Sequence, residues 1–236
     1  MDVPGISRPV LAALIVVAAL IFAAAATFAL SLVTRHTETR TRTLPAASSI
    51  VVDGNSGDVV VVGSDRGDVR LTTKERRSVF GRPRVAVSAS GGRLHLDGEC
   101  ARLDAWGACN VSYRLEVPRD TDVRLVARSG DVRANDLRGA AQLQTRSGDV
   151  DVDALSPEID AETRSGDIHV TARDATRVHA RTRSGDVHVS VPDRVYAVEA
   201  HAQSGDENVG VRTDPRAPRR IDASTVSGDV HIDRDE

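Results

Sequence analysis

Apolar and polar residues alternate regularly through the second half of the chain, around a recurring Ser-Gly-Asp triplet. Two, four and six residues before each of the last six triplets, the side chain is small or apolar, and the positions between are mostly polar. Before Ser147, for example, Ala141, Leu143 and Thr145 alternate with glutamines. This period of two predicts a β-strand with one buried face. The alternation resumes after most triplets, which predicts a second, shorter strand.

The triplet has the composition of a tight turn. Glycine adopts positive φ at no steric cost, and serine and aspartate hydrogen-bond to nearby backbone groups. The last six triplets begin 18, 18, 19, 20 and 23 residues apart. These predicted turns comprise Ser129, Gly130, Asp131, Ser147, Gly148, Asp149, Ser165, Gly166, Asp167, Ser184, Gly185, Asp186, Ser204, Gly205, Asp206, Ser227, Gly228 and Asp229.

One repeat cannot bury its own apolar face, so the repeats are expected to stack and share a core. We predict an all-β chain built as a β-solenoid, in which Leu143, Ala161 and Ala180 point into one interior. An antiparallel β-meander or sandwich is the alternative, with each triplet as a hairpin turn that pairs Thr145 with Val150. The nearly constant repeat length of about 18–20 residues favours the solenoid.

Three parts of the chain depart from this pattern. Glu207 stands where other repeats have Val or Ile, and a β-bulge is one way to accommodate it. Residues 47–118 alternate less regularly, and we predict that they form an N-terminal β region that caps the regular array of residues 119–236. Residues 34–46, rich in Thr and Arg, are predicted to form a hydrophilic stalk.

A long apolar run occupies residues 10–33, where only Thr27 and Ser31 are polar. At about 1.5 Å rise per residue, a helix of this length crosses a bilayer. The run also exceeds the usual apolar part of a cleaved signal peptide, which is the alternative. We therefore predict a short tail at residues 1–9 followed by a retained transmembrane helix.

Two opposing signals bear on the side of the membrane where the β region lies. Arg35, Arg40 and Arg42 follow the helix, which favours a cytoplasmic C-terminus. Long domains translocate largely regardless of charge, and Cys100 and Cys109 are close enough in sequence to form a disulfide in an oxidising compartment. Two unrelated buried thiols are the alternative. We predict a single-pass cell-membrane protein with a disulfide-stabilised domain outside the cytoplasm.

Composition narrows the range of functions. The chain has a formal net charge of −3 and only 3% aromatic residues. Nucleic-acid binding needs a basic face for phosphates and commonly uses aromatic rings for stacking, so we predict no nucleic-acid partner. The sequence has no Gly-x-Ser-x-Gly elbow and no histidine distinctively placed beside one serine, so we predict that the chain is not an enzyme.

The repeated turns resemble those of a known family. Ser147-Gly148-Asp149-Val150 and Ser184-Gly185-Asp186-Val187, with the N-terminal anchor, are similar to features of the bacterial putative-adhesin family of β-strand-repeat domains of unknown function. The likeness covers roughly residues 47–236. It implies a β-solenoid-like domain at the cell envelope with an adhesive or interaction role, and it supplies no catalytic residues.

The aspartates of the triplets are candidate calcium ligands. Calcium takes six to eight oxygens, and one carboxylate per repeat supplies few of them. We therefore expect the aspartates to form turns, or to pair with the arginines that precede four of the triplets, and we expect no cofactor. These aspartates are Asp131, Asp149, Asp167, Asp186, Asp206 and Asp229.

Histidines recur on the face of the repeats that is predicted to be solvated. Asp151, His169 and His188 occupy equivalent outward positions, and His231 recurs two units later. The first three are candidate ligands for a divalent metal. We expect instead a solvated face whose charge varies with pH. The tripeptide Arg66-Gly67-Asp68 matches a cell-adhesion motif, but its composition and position suit a turn.

These observations lead to one expected function and one alternative. We expect a membrane-anchored extracytoplasmic β-repeat protein that acts as an adhesin or macromolecule-binding module at the cell envelope. Its partner is expected to be a protein or an envelope glycan. The alternative is a regulatory or stress-sensing partner of a membrane complex, in which the apolar helix makes the contact.

Overall fold

The computed structural model describes residues 17–23, 36–77, 84–99 and 110–235. Residues 17–23 are helical, and the rest of the predicted transmembrane helix lies outside the described residues. Within the described ranges, no helix has the length and apolar character needed to cross a membrane. Cys100 and Cys109 also lie outside these ranges, so their predicted disulfide stays a prediction.

Twenty β-strands make up the described fold, which confirms the all-β prediction. In chain order they are β1 (His36–Leu44), β2 (Ser49–Ser56), β3 (Val59–Ser64), β4 (Val69–Arg77), β5 (Arg84–Ser90), β6 (Arg93–Glu99), β7 (Asn110–Pro118), β8 (Asp122–Ser129), β9 (Val132–Asn135), β10 (Ala141–Ser147), β11 (Val150–Ala154), β12 (Glu158–Glu162), β13 (Ile168–Ala172), β14 (Arg177–Arg181), β15 (Val187–Val191), β16 (Val195–Ser204), β17 (Glu207–Val209), β18 (Arg212–Thr213), β19 (Arg220–Ser227) and β20 (Val230–Arg234).

The strands form two ten-stranded sheets. Sheet A has the order β1-β4-β7-β3-β9-β11-β13-β15-β20-β17, and sheet B has the order β18-β16-β19-β14-β12-β10-β8-β2-β6-β5. Each Ser-Gly-Asp repeat contributes the strand before its turn to sheet B and the strand after its turn to sheet A. Apolar side chains from both sheets form one continuous core.

Successive repeats stack in parallel, as the solenoid prediction requires. Thr145 in β10 lies opposite Ala127 in β8, and Val150 in β11 lies opposite Val132 in β9. The antiparallel hairpin that would pair Thr145 with Val150 is therefore wrong. Because the repeats are in register, equivalent core positions form rows, and Leu143, Ala161 and Ala180 share one row with at most 1% exposure each. The prediction of a shared interior is confirmed.

Side-chain hydrogen bonds connect each turn to its neighbour in the stack. The Asp149 Oδ1 atom accepts the backbone N–H of Asp167 at 2.9 Å, and the same bond recurs along the whole series from Asp58 to Asp206. The Thr163 hydroxyl donates to the Gly148 carbonyl at 3.0 Å, and three other buried threonines make equivalent bonds. The aspartates therefore connect repeats, and each Oδ1 atom in the series is directed at a backbone amide except that of Asp206, which lies in the last repeat of the stack.

The last two repeats stack in the reverse of their chain order. β19 lies between β14 and β16, and β20 lies between β15 and β17, so the C-terminal repeat is inserted into the stack. Glu207 consequently lies at the open end of the stack, where it is exposed and its Oε1 accepts the N–H of Ala202 at 2.7 Å. The predicted β-bulge is wrong, because the register does not change along this repeat: Ala197 pairs with Arg220 and Glu207 pairs with Val230, with the same offset.

Ion pairs stabilise the chain at the start of β19, where the C-terminal repeat enters the stack. Arg219, immediately before β19, donates to the Asp174 Oδ1 atom at 3.2 Å and to the Ala175 carbonyl at 2.7 Å. Arg194 donates to the same carboxylate at 2.8 Å. The hydrogen bond from Arg194, with the charge of Arg219 beside it, lowers the pKa of Asp174 below its ordinary value.

Antiparallel strands cap the N-terminal end of the stack. β2 and β3 form one more regular repeat, in which Ser56 pairs with Ser129. Beyond it, β7 on sheet A and β6 on sheet B still pair in parallel with this repeat. The outer strands are antiparallel: β4 to β7, β1 to β4, and β5 to β6. Residues 36–44, predicted as part of a stalk, form the edge strand β1. Its threonines are β-branched and favour an extended strand.

Tyr113 packs into this cap with an unpaired hydroxyl. Its side chain is 2% exposed, and the hydroxyl has no hydrogen-bond partner among the described residues. Burial, with the nearby charges of Asp97 and Glu75, raises the pKa of Tyr113 to about 12. The folded state therefore holds the neutral phenol in a pH range where an unfolded tyrosine ionises.

We expect Tyr113→Phe to raise the free energy of unfolding by roughly 1 kcal/mol at neutral pH, because it removes an unpaired buried hydroxyl. In the wild type, the stability that comes from the raised pKa of Tyr113 is fully present below about pH 10. It is lost as the pH rises towards about 12, since the unfolded state then binds fewer protons than the folded state. By about pH 11.5 this loss reaches roughly 2 kcal/mol, and the variant escapes it. Urea denaturation at several pH values measures both effects.

Tyr196→Phe is the matched control, because the Tyr196 hydroxyl donates to the Pro192 carbonyl at 3.0 Å. That variant should lose roughly 1 kcal/mol at neutral pH. Equal destabilisation by the two substitutions would show that the Tyr113 hydroxyl has a partner.

Candidate functional site

An open groove runs across the outer face of sheet B, beside the triplet turns. It has a volume of about 720 Å³ and crosses the ends of β8 and β10 and the segment after β12. Its charged lining residues are Arg128, Arg146 and Arg164 and the acidic Asp53, Asp97 and Glu162. The parallel stacking builds this surface, because equivalent residues of successive repeats lie side by side.

The arginines that precede the triplets form one row, which we call the arginine row. It consists of Arg128, Arg146, Arg164 and Arg183. The serines that follow them pair from repeat to repeat, so their backbones are spaced by about 4.8 Å. All four side chains are exposed, and within the described ranges none makes an ion pair or a side-chain hydrogen bond.

The absence of an ion pair within the described ranges corrects the expectation that these arginines pair with the triplet aspartates. Each aspartate Oδ1 faces the backbone amide of the next repeat instead, as at Asp149 and Asp167. The arginine row is therefore a line of positive charges without a described acidic partner, although the chain as a whole has a net charge of −3.

The histidines predicted as equivalent form a continuous ladder on sheet A. His169 pairs with His188, and the inserted last repeat places His231 directly beside His188. The ring centroids are 6.0 and 6.3 Å apart. Both nitrogens of His188 have polar neighbours: Nε2 is 3.2 Å from the Ser190 hydroxyl, and Nδ1 is 3.9 Å from the Asp233 carboxylate.

The structure does not gather the predicted metal-ligand candidates around a common point. Asp151 lies beside His169, and its Oδ2 is 3.5 Å from the Arg133 guanidinium. In the described part of the chain, one group of three residues brings potential ligand atoms within 4.8 Å of one another, and it lies on sheet B. It consists of Asp160, Glu162 and His179.

Sequence reasoning missed this group, although a signal was present. Asp160 and Glu162 lie two residues apart and therefore share the outward face of β12. His179 lies opposite Asp160 once β14 is stacked in register. Applying the predicted register to the outward positions of the strands before the triplets, as well as to those after them, would have found it.

Arg66-Gly67-Asp68 lies in the connection between β3 and β4. The Arg66 guanidinium is 2.7 Å from the Asp68 carboxylate, so the two charges of the tripeptide pair with each other. This arrangement agrees with the turn that the sequence predicts at these residues.

The sequence profile of a known family covers most of this fold. The family is described as Toastrack DUF4097, and its profile matches residues 46–234. This chain belongs to the Toastrack DUF4097 family. Among curated proteins, none matches this toastrack chain.

Two solved structures are similar to this chain. A putative cell adhesion protein from Clostridium sporogenes is 8% identical, with a TM-score of 0.52, and the match covers 85% of this chain and 100% of that one. A putative adhesin from Bacteroides fragilis is 14% identical, with a TM-score of 0.47, covering 85% of this chain and 97% of that one. The likeness to the Clostridium sporogenes protein, at 8% identity, concerns the fold alone.

Proposed function

We propose that this toastrack chain is an extracytoplasmic binding module of the cell envelope, anchored by its N-terminal apolar helix, and that it binds an anionic envelope glycan along the arginine row. The observation that carries the proposal is the row of exposed guanidinium groups without an ion-pair partner among the described residues. The description of the Clostridium sporogenes protein as a cell adhesion protein agrees with this proposal.

The spacing of the arginine row favours a polymeric anion. Neighbouring guanidinium groups repel one another, and a chain of carboxylates or phosphates laid along the row would neutralise several of them at once. Arginine also binds both oxygens of a carboxylate or phosphate through two parallel hydrogen bonds. The groove beside the row is open and shallow, which suits an extended chain better than an enclosed small molecule.

Binding of purified polymers tests the proposal directly. We expect the full-length chain in detergent to bind polygalacturonate or poly(glycerol phosphate), and to leave the uncharged polymer dextran unbound. The variant Arg146→Gln/Arg164→Gln/Arg183→Gln should bind at least about tenfold more weakly, and binding should weaken with salt because exposed charges are screened. Surface plasmon resonance on immobilised polymer gives both affinities.

The matched control replaces three arginines that already have acidic partners. Arg173, Arg177 and Arg194 lie 2.7, 3.1 and 2.8 Å from Asp153, Glu158 and Asp174. Their triple glutamine variant removes the same charge and should bind the polymers almost normally. Equal losses of polymer affinity in the two variants would show that binding depends only on net charge. Binding of a protein partner, with no binding of either polymer, would favour protein adhesion instead.

The proposed location has its own test. Protease added to intact cells should digest the β-domain while the cytoplasmic marker proteins survive. Protection of the β-domain in intact cells, with digestion after lysis, would place it inside the cell.

A further inference from the structure

His179 lies among carboxylates on the outer face of sheet B. The pairing of β12 with β14 places Asp160 opposite His179, with Glu162 two residues further along the same face. One potential ligand atom from each residue lies within 4.8 Å of the other two. The His179 Nε2 atom is 3.9 Å from the Glu162 Oε1 atom. All three residues are half-buried.

Glutamines of the neighbouring repeat hold the two carboxylates. The Gln142 Nε2 atom donates to the Asp160 Oδ2 atom at 3.1 Å, and the Gln144 Nε2 atom donates to the Glu162 Oε2 atom at 3.0 Å. Each carboxylate therefore has one oxygen engaged by an amide. The second oxygen of Glu162 faces the imidazole of His179.

A third carboxylate orients the imidazole. The Asp222 Oδ2 atom lies 3.4 Å from the His179 Nδ1 atom, on the opposite side of the ring from the Nε2 atom near Glu162. This contact is an ion pair rather than a well-directed hydrogen bond. Metal-binding histidines commonly donate the N–H of the non-ligating nitrogen to a carboxylate, which fixes the tautomer and makes the ligating nitrogen more basic, and Asp222 is the carboxylate on that side of the ring.

An unpartnered oxygen gives independent support for a ligand. The Asp160 Oδ1 atom is buried, and it accepts no hydrogen bond from the described residues. A buried carboxylate oxygen without a donor is costly unless a cation or a hydrogen bond compensates it. A bound cation would supply that compensation.

We propose that Asp160, Glu162 and His179 bind a divalent transition-metal ion such as Zn²⁺. An imidazole nitrogen with two carboxylates suits zinc, whereas magnesium and calcium prefer oxygen ligands alone. Ligand atoms around tetrahedral zinc are about 3.4 Å apart. The His179 and Glu162 atoms are 3.9 Å apart and all three ligand atoms lie within 4.8 Å of one another, so the side chains must close on the ion by up to about 1.4 Å. This inference does not rest on glycan binding.

The site is open to solvent on one side. A groove of about 510 Å³, lined among others by Asp160, His179 and Asp222, gives an ion access to it. Three protein ligands leave a fourth coordination position for water or for an oxygen of a bound partner. The two arginines of β14 contact other groups: Arg181 donates to the Ser224 hydroxyl at 3.3 Å, and Arg177 donates to the Glu158 carboxylate at 3.1 Å.

Isothermal titration of the chelator-treated full-length chain with ZnCl₂ tests the site. We expect one site that His179→Gln removes and that Asp160→Asn weakens at least about tenfold. The amide introduced by Asp160→Asn keeps an oxygen for Gln142, so this second variant decides the outcome if the first does not fold. Asp222→Asn should weaken binding by about 10–100-fold, as expected for a residue that orients a ligand. With Co²⁺, the visible absorption of the bound ion should disappear in His179→Gln.

His188→Gln is the matched control, because it makes the same substitution at a partly buried histidine, in the histidine ladder on the other sheet. It should bind Zn²⁺ as the wild type does. Failure of the wild type to bind Zn²⁺, or equal losses from His188→Gln and His179→Gln, would overturn the proposal. Because Zn²⁺ titration involves no polymer, a negative result here is distinguishable from failure of the glycan proposal.

Discussion

Gly166→Ala is expected to lower the free energy of unfolding by about 3 kcal/mol or more. Gly166 has a φ of 143°, which residues with a Cβ rarely adopt. A Cβ placed there would also collide with the backbone carbonyl of Gly148 in the preceding repeat. Relieving the collision requires the two repeats to separate, so the turn and its hydrogen bonds would be disturbed together. Urea denaturation followed by circular dichroism measures the loss.

Gly67→Ala is the control for this substitution. Gly67 also lies in a turn, but its φ is not positive and a Cβ there would meet nothing within 4 Å. That variant should be neutral or slightly more stable, because alanine restricts the unfolded chain. A Gly166→Ala protein as stable as Gly67→Ala would show that the repeats do not stack as closely as described.

Leu143→Ala is expected to cost about 2–5 kcal/mol of unfolding free energy. Leu143 is 1% exposed and lies in the core row between Leu125 and Ala161. Because Ala161 is small, it cannot fill the space that the leucine leaves. Thermal and urea denaturation should both show the loss as a lower transition midpoint.

Leu155→Ala removes the same atoms from a surface position. The Leu155 side chain is 43% exposed, so its truncation should cost under about 1 kcal/mol. Equal effects at Leu143 and Leu155 would contradict a core shared between repeats.

The outward-facing sites were harder to predict than the core. The sequence places Arg146 and Arg164 before equivalent turns, yet whether they pair with acidic residues depends on where each carboxylate points. The Asp149 Oδ1 atom faces the backbone amide of Asp167. The net charge of the whole chain therefore gave no sign of a local row of positive charges that have no ion-pair partner among the described residues.

The group around His179 shows a second limit of sequence reasoning. Asp160 and His179 are 19 positions apart and meet because one repeat separates them in a parallel stack. Asp222 joins them from much further along the chain, and it does so only because the last repeat enters the stack beside β14. No local pattern around Asp222 indicates that contact.

The chain's own alternation determined which residues form strands, where the turns lie and which side chains are buried, because these properties depend on neighbours a few positions apart. The tertiary structure decided the order of the repeats and the sites on their outer faces. The strands that end at Ser204 and Ser227 carry nearly the same alternation, which therefore does not determine which of them stacks on the strand segment that ends at Ser184. Differences in packing and in ion pairs such as Arg219–Asp174 select one order, and those contacts exist only in the folded chain.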